Sequence, residues 1–180
     1  MDSHAELHSL VSRDEIAGNV GRLAAAITGD YRDRNPLLLG ILKGCFVFMA
    51  DLVRRLEFPL EVEFVQLSSY GSGQETSGRV EVVQGLRAEI QGRDVLIVED
   101  IVDTGVTLAF FINYLKAHGP ASLRLCALAD KPSRRRVPVD IHYLGFTVPD
   151  KFLVGYGLDC DEQYRKLPEI CCLEEKCPSE

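Results

Sequence analysis

Three carboxylates, Glu99, Asp100 and Asp103, are gathered in one short stretch, VLIVEDIVDTGVTL (residues 95–108). Four apolar residues read as a buried strand, and Glu99 and Asp100 form its acidic end. Asp103, Thr104, Gly105, Val106 and Thr107 then make a tight loop of small, hydrogen-bonding residues before an amphipathic segment. Amides and threonine hydroxyls beside a helix start can hold a phosphate. Carboxylates at the strand end can hold hydroxyl groups or a hydrated Mg2+ ion, which keeps several waters and needs few protein oxygens. Neighbouring strand residues point to opposite faces, so Glu99 and Asp100 need not meet the same ligand. The stretch is neither GxxxxGK[ST] nor GxGxxG. In isolation, a strand-to-helix turn with Asp103 or Thr104 as a helix cap would read the same way.

The surrounding elements must place this loop. Ser12 and Glu15 fit a capping box, and Ile16, Val20, Leu23 and Ile27 follow at helical spacing. LLLGIL (residues 37–42) reads as a buried strand, and Phe46, Met49, Val53 and Leu56 as a helix over about 45–56. Residues 60–67 alternate as a half-exposed strand does. Glycines and serines make residues 68–78 the most flexible-looking internal segment, and VEVVQGL resumes a strand. Leu108, Phe111, Ile112 and Leu115 mark a helix ended by Gly119-Pro120. LRLCALA (residues 123–129) is another buried strand, and IHYLGF and FLVGYGL supply two more. Strands separated by helices predict an α/β fold with a central, mostly parallel, twisted sheet flanked by helices. Ligands of such sheets bind at the carboxyl ends of the strands. Lys43-Gly44, the acidic stretch, and Asp130-Lys131 all follow apolar strands, so three polar loops are expected along one edge.

Composition narrows the field. The chain has 180 residues, 46% hydrophobic and 26% charged, with a net charge of −7. That is one globular domain, and its negative charge argues against a general nucleic-acid surface. No apolar run is long enough to cross a membrane, and MDSHAELHSLVSRDE does not resemble a signal peptide. The expectation is therefore a cytoplasmic protein without a nucleic-acid or membrane partner. Cys45, Cys126, Cys160, Cys171, Cys172 and Cys177 lack zinc-site spacing and are expected as free thiols in a reducing compartment.

The acidic stretch, together with LLLGILKGCFVF, VQLSSYGSGQETSGRV, ALADKPSRRRVPVD and VPDKFLVGYGLDCDEQYR, resembles the type I phosphoribosyltransferases. The similarity runs from about residue 12 to residue 170. VEDIVDTG marks the superfamily; DKFLVGYGLD with Arg165 downstream resembles the bacterial-type 6-oxopurine branch, which acts on hypoxanthine and guanine. The resemblance implies a single domain over 1–180, with a core of about 35–150. A small hood is expected from about 1–34 and 151–180. It also implies joining of a purine base to phosphoribosyl diphosphate with release of pyrophosphate, and Mg2+ as cofactor.

Residue roles follow from the resemblance. Glu99 and Asp100 would face the ribose hydroxyls and the metal, with Asp159 as a further metal ligand beside the purine. Asp103 would be the general base or acid at a purine nitrogen, and the loop from Asp103 through Thr104, Gly105 and Val106 to Thr107 would bind the 5′-phosphate. Lys43, Gly44 and Arg165 would contact the diphosphate, with a cis peptide between Leu42 and Lys43. Lys131 would donate to the 6-oxo group, Phe152 would stack on the base, and Leu153 would meet its edge. Ser69 and Tyr70 would belong to a flexible lid. Arg134, Arg135 and Arg136 read as a solvated turn. Cys160 departs from an aromatic residue common at its position. A xanthine preference or a non-catalytic regulator sensing phosphoribosyl diphosphate are the alternatives, and the family implies a homodimer or homotetramer.

Overall fold

The structure, a computed structural model, describes residues 6–69, 80–84 and 86–174. Its large sheet has the order β4-β3-β2-β5-β6-β7. The strands are β2 (Leu37–Leu42), β3 (Glu61–Ser69), β4 (Val80–Gln84), β5 (Asp94–Val102), β6 (Ser122–Asp130) and β7 (Tyr143–Thr147). Five of them run parallel, and β4 pairs antiparallel with β3 at one edge. The helices are α1 (Arg13–Tyr31), α2 (Phe46–Val53) and α3 (Val106–Ala117).

Burial on both faces explains the unbroken apolar runs. Along β5, Leu96 and Val98 pack into the core that also holds α1 and α2. Val95 and Ile97 pack into the core under α3. A strand covered on both sides has no polar face and therefore shows no alternation. The β3 strand, nearer the edge, buries Val65 but leaves Glu61 and Val62 exposed in succession, so its alternating sequence does not give one covered face and one open face along its whole length.

The α1 helix begins as its sequence predicts. Ser12 Oγ accepts from the Glu15 amide at 3.3 Å, and Glu15 Oε2 accepts from the Ser12 amide at 2.8 Å. Such a cap contributes about 1 kcal/mol. Ile16, Val20, Leu23, Ala24, Ile27 and Tyr31 form its buried stripe, packed against α2 and β7.

A second sheet, β1-β9-β8, joins the two ends of the chain: β1 (Leu7–Val11), β9 (Ile170–Leu173) and β8 (Phe152–Val154), all antiparallel. FLVGYGL thus supplies only three strand residues, and they join the small sheet rather than the large one. Neither β1 nor β9 stands out in the sequence, where ICCL reads as a cysteine cluster rather than a strand. One expectation about the thiols needs correction. Cys45, Cys126, Cys171 and Cys172 are free, but Cys160 is disulfide-bonded. Sequence spacing does not reveal which thiols a fold brings within bonding distance.

Candidate active site

The three polar loops meet at the carboxyl end of the parallel strands and enclose two adjoining recesses. One is a cleft of about 310 Å³ lined by Lys43, Gly44, Asp100, Lys131, Phe152, Leu153, Asp159 and Arg165, with Ile101, Asp103, Arg134 and Leu158. The other, of about 240 Å³, is lined by Glu99, Asp103, Thr104, Gly105 and Thr107, with Ile41, Leu67, Ile101, Val102 and Leu108. Strand alternation divides the acidic pair, with Glu99 on the second recess and Asp100 on the first. Ile101 and Asp103 border both.

The second recess sets small hydrogen-bonding residues beside the start of α3. Gly105 sits at φ +80° as the residue before α3, and no side chain caps the helix. A side chain there would put Cβ 2.4 Å from the Val137 carbonyl oxygen, so glycine is required twice over. Asp103 is not the helix cap, which removes the alternative reading of that residue. Thr104 Oγ1 lies 3.4 Å from the Val106 amide. Val106 itself does not line the recess; it opens α3. The loop is clamped from the other side, because the Thr104 carbonyl accepts from the amides of Arg136 and Val137 at 2.9 and 3.1 Å. Below it, Arg135 forms a largely buried ion pair with Asp130.

In the cleft, the Leu42–Lys43 peptide is cis, as the resemblance implied. A Cβ on Gly44 would fall 1.5 Å from Asp100 Oδ2, so only glycine lets the loop after β2 lie against that carboxylate. Lys131 is buried at the end of β6, and its amide donates to the Val102 carbonyl at 2.9 Å, which ties the loop after β6 to β5. Phe152 and Leu153, on β8, bring the small sheet to the cleft's rim.

The electrostatics differ from wall to wall. Burial raises the Glu99 carboxyl well above the ordinary range, and neighbouring Asp100 adds to the effect. Burial pushes Asp100 up to about 6, although its Oδ1 accepts the Ile101 amide at 2.7 Å. Glu99 Oε2 is buried without a hydrogen-bond partner among the described residues. Such orphaned acceptors carry a desolvation cost until a hydroxyl donor or cation arrives. The Mg2+ expectation fits this donor set: Asp100 and Asp159 face one cleft, and Glu99 lies behind the same strand end. The three carboxylates do not form a closed cage. Among the described residues, the only ligand-like group of three is the exposed Glu6, His8 and Glu174, far along the chain from this loop. An open arrangement suits an ion that takes much of its coordination from water and substrate oxygens.

Two residues gain a place that their sequence context hides. Arg134, expected in a solvated turn, lines the cleft; its Nε lies 3.1 Å from Asp103 Oδ1 and its Nη1 lies 3.8 Å from Asp150 Oδ1. Glu162 bridges Lys43 and Arg165. No periodicity marks either one. Of the lid residues, Ser69 ends β3 and Tyr70 lies outside the described residues.

This fold and this edge define a class. Residues 8–161 match the family described as phosphoribosyl transferase domain, and the chain belongs to that family. Its similarities are more specific than that. It is 42% identical over 165 residues to the hypoxanthine-guanine phosphoribosyltransferase of Bacillus subtilis, covering 92% of both chains. It is 44% identical over 171 residues to the bifunctional protein TilS/HprT of Listeria innocua, covering 95% of this chain but only 26% of that longer one. A solved hypoxanthine-guanine phosphoribosyltransferase from Bacillus anthracis, with a HEPES molecule in its active site, superposes with a TM-score of 0.89 at 39% identity. That match covers 94% of this chain and 99% of the other.

Proposed function

We propose that this chain is a purine-salvage enzyme. It transfers the 5-phosphoribosyl group from phosphoribosyl diphosphate to hypoxanthine or guanine, giving IMP or GMP and pyrophosphate. The observation that carries the proposal is the position of Asp103, on the border between an anion-shaped recess and a cleft with a buried lysine and an aromatic wall. A ribose phosphate seated in the first and a purine in the second would meet beside this carboxylate.

The roles follow. Thr104, Gly105 and Thr107, with the start of α3, hold the 5′-phosphate. Glu99 accepts ribose hydroxyls. Asp100 and Asp159 would hold Mg2+, which when bound would supply positive charge beside the departing diphosphate. Lys43, Gly44 and Arg165 bind that diphosphate. Phosphoribosyl transfer passes through an oxocarbenium-like state, so positioning and charge stabilisation supply most of the rate and no protein nucleophile is needed. Asp103 takes or gives the proton at a purine nitrogen. Lys131 donates to the 6-oxo group; adenine presents a 6-amino donor at that position instead of an acceptor. Phe152 stacks on the base and Leu153 meets its edge. The lid around Ser69 and Tyr70 keeps water from the sugar cation. A homodimer or homotetramer in the cytoplasm belongs to the same proposal. The exposed Phe46, Val62 and Phe110 are side chains that a subunit contact would cover.

Initial rates with hypoxanthine, guanine, xanthine and adenine, each with phosphoribosyl diphosphate and Mg2+, test the proposal. Hypoxanthine and guanine are the expected substrates. No turnover of any base overturns the activity, dominant xanthine turnover moves the specificity, and good adenine turnover removes the role given to Lys131.

A further inference from the structure

The two cations assigned to the diphosphate are already engaged. Lys43 Nζ lies 2.5 Å from Glu162 Oε1, and Arg165 Nη2 lies 3.1 Å from Glu162 Oε2. One carboxylate therefore spans two cations that come from opposite ends of the sequence, each oxygen taking one. We propose that Glu162 is a built-in stand-in for the diphosphate: it occupies Lys43 and Arg165 while the cleft is free, yields them when phosphoribosyl diphosphate or pyrophosphate binds, and reclaims them as pyrophosphate leaves. This rests on the reading of Lys43 and Arg165 as the diphosphate contacts.

Three features suit Glu162 to such an exchange. First, its side chain and that of Lys43 are 60% and 54% exposed. A solvated pair of this kind is weak, so a multiply charged polyanion can displace it. Second, Arg165 does not depend on Glu162 for its position. Its Nη1 donates to the Gly157 carbonyl at 2.8 Å, its Nη2 lies 2.9 Å from Asp159 Oδ1, and the side chain is mostly covered. Third, the segment holding Glu162 has an uncommon backbone. Asp161, Glu162 and Tyr164 lie at φ 50°, 60° and 71°, in the left-handed region that non-glycine residues seldom adopt. Backbone bonds keep it there, between Cys160 and Gln163 and from the Glu162 amide to Asp159 Oδ2 at 2.9 Å. Residues held this way tend to mark functional segments. The Glu162 side chain makes none of these bonds, so its removal leaves the segment's own scaffold in place.

The test measures pyrophosphate binding by calorimetry, with Mg2+ present, and the KM for phosphoribosyl diphosphate. The proteins are the full chain, Glu162→Gln, Glu162→Ala, Lys43→Met, and the double variant Lys43→Met/Glu162→Gln. Removing the competitor should tighten pyrophosphate roughly three- to tenfold in both Glu162 variants and lower the KM in step. Most of that gain should vanish when Lys43 is also missing. If Glu162 instead serves to orient the cations, its loss will weaken pyrophosphate binding. That result, or unchanged affinity, overturns the proposal. Lys43→Met alone should weaken pyrophosphate. If it binds as the parent does, the underlying site reading falls and the proposal with it. If Lys43→Met weakens binding while the Glu162 variants do not tighten it, only the proposal falls.

Discussion

The acids on the two sides of the cleft are built in opposite ways. On the sheet side, at the end of a central strand, Asp100 is buried and Glu99 partly buried with its Oε2 covered, and burial raises both carboxyls. On the hood side, Asp159 and Glu162 lie on a loop nearer solvent and are already paired with Arg165 and Lys43. The sheet side bears a desolvation cost that a cation or hydroxyl group relieves. The hood side is neutralised in advance, and its ligand must exchange with an internal partner. Under the proposed function, one wall would fix the ribose and metal, while the other would let pyrophosphate go.

The largest expected effect comes from breaking the seam between the walls. Gly44→Ala places a methyl group on Asp100 Oδ2 and must displace either the diphosphate loop or the carboxylate. A shift of that kind should lower kcat/KM by about a hundredfold or more in steady-state assays. Lys131→Met removes a charged donor from the base side while leaving the acids alone. It should cost roughly ten- to a hundredfold in kcat/KM for hypoxanthine and much less in phosphoribosyl-diphosphate affinity.

A smaller effect separates the walls by pH. The Asp100 carboxyl titrates at about 6 in the fold against an ordinary 3.8. The fold therefore retains a proton that the unfolded chain releases. Its contribution is fully present below about pH 4 and is lost as pH rises through about 6. Urea denaturation of the ligand-free protein should show the parent losing on the order of 2 kcal/mol relative to Asp100→Asn across that window. The Glu162 carboxyl, held below its ordinary range by Lys43 and Arg165, should show no such loss as pH rises. The smallest effect is at the hood's anchor. Tyr156 Oη donates to Asp51 Oδ2 at 2.7 Å and ties the loop after β8 to α2. Tyr156→Phe should cost about 1 kcal/mol of stability in the same assay.

The same contrast governs what could be read from the sequence. The sheet side is local in sequence: a doubly buried strand declares itself as an apolar run, its acids follow at once, and a glycine opens the next helix. The capping box at Ser12 and Glu15 was equally legible because both partners lie within one turn. Much of the hood side is long-range. β1 finds its partner in β9, at the other end of the chain, and four-residue strands carry little periodicity. Glu162 meets Lys43 only because the chain returns across the cleft. Arg134 looks like one charge in a basic turn until the fold lays it against Asp103. The disulfide at Cys160 was not legible, because cysteine spacing alone does not say which thiols meet.

Asp103 is the point at which the two recesses meet, and Asp103→Asn measures that claim most directly. Binding of phosphoribosyl diphosphate with Mg2+ and the single-turnover rate with hypoxanthine should be determined on the same preparation. The rate should fall about 10²- to 10⁴-fold while the dissociation constant changes by no more than about threefold. Equal rates in parent and variant, or a loss confined to binding, would contradict a role for Asp103 in proton transfer at the base.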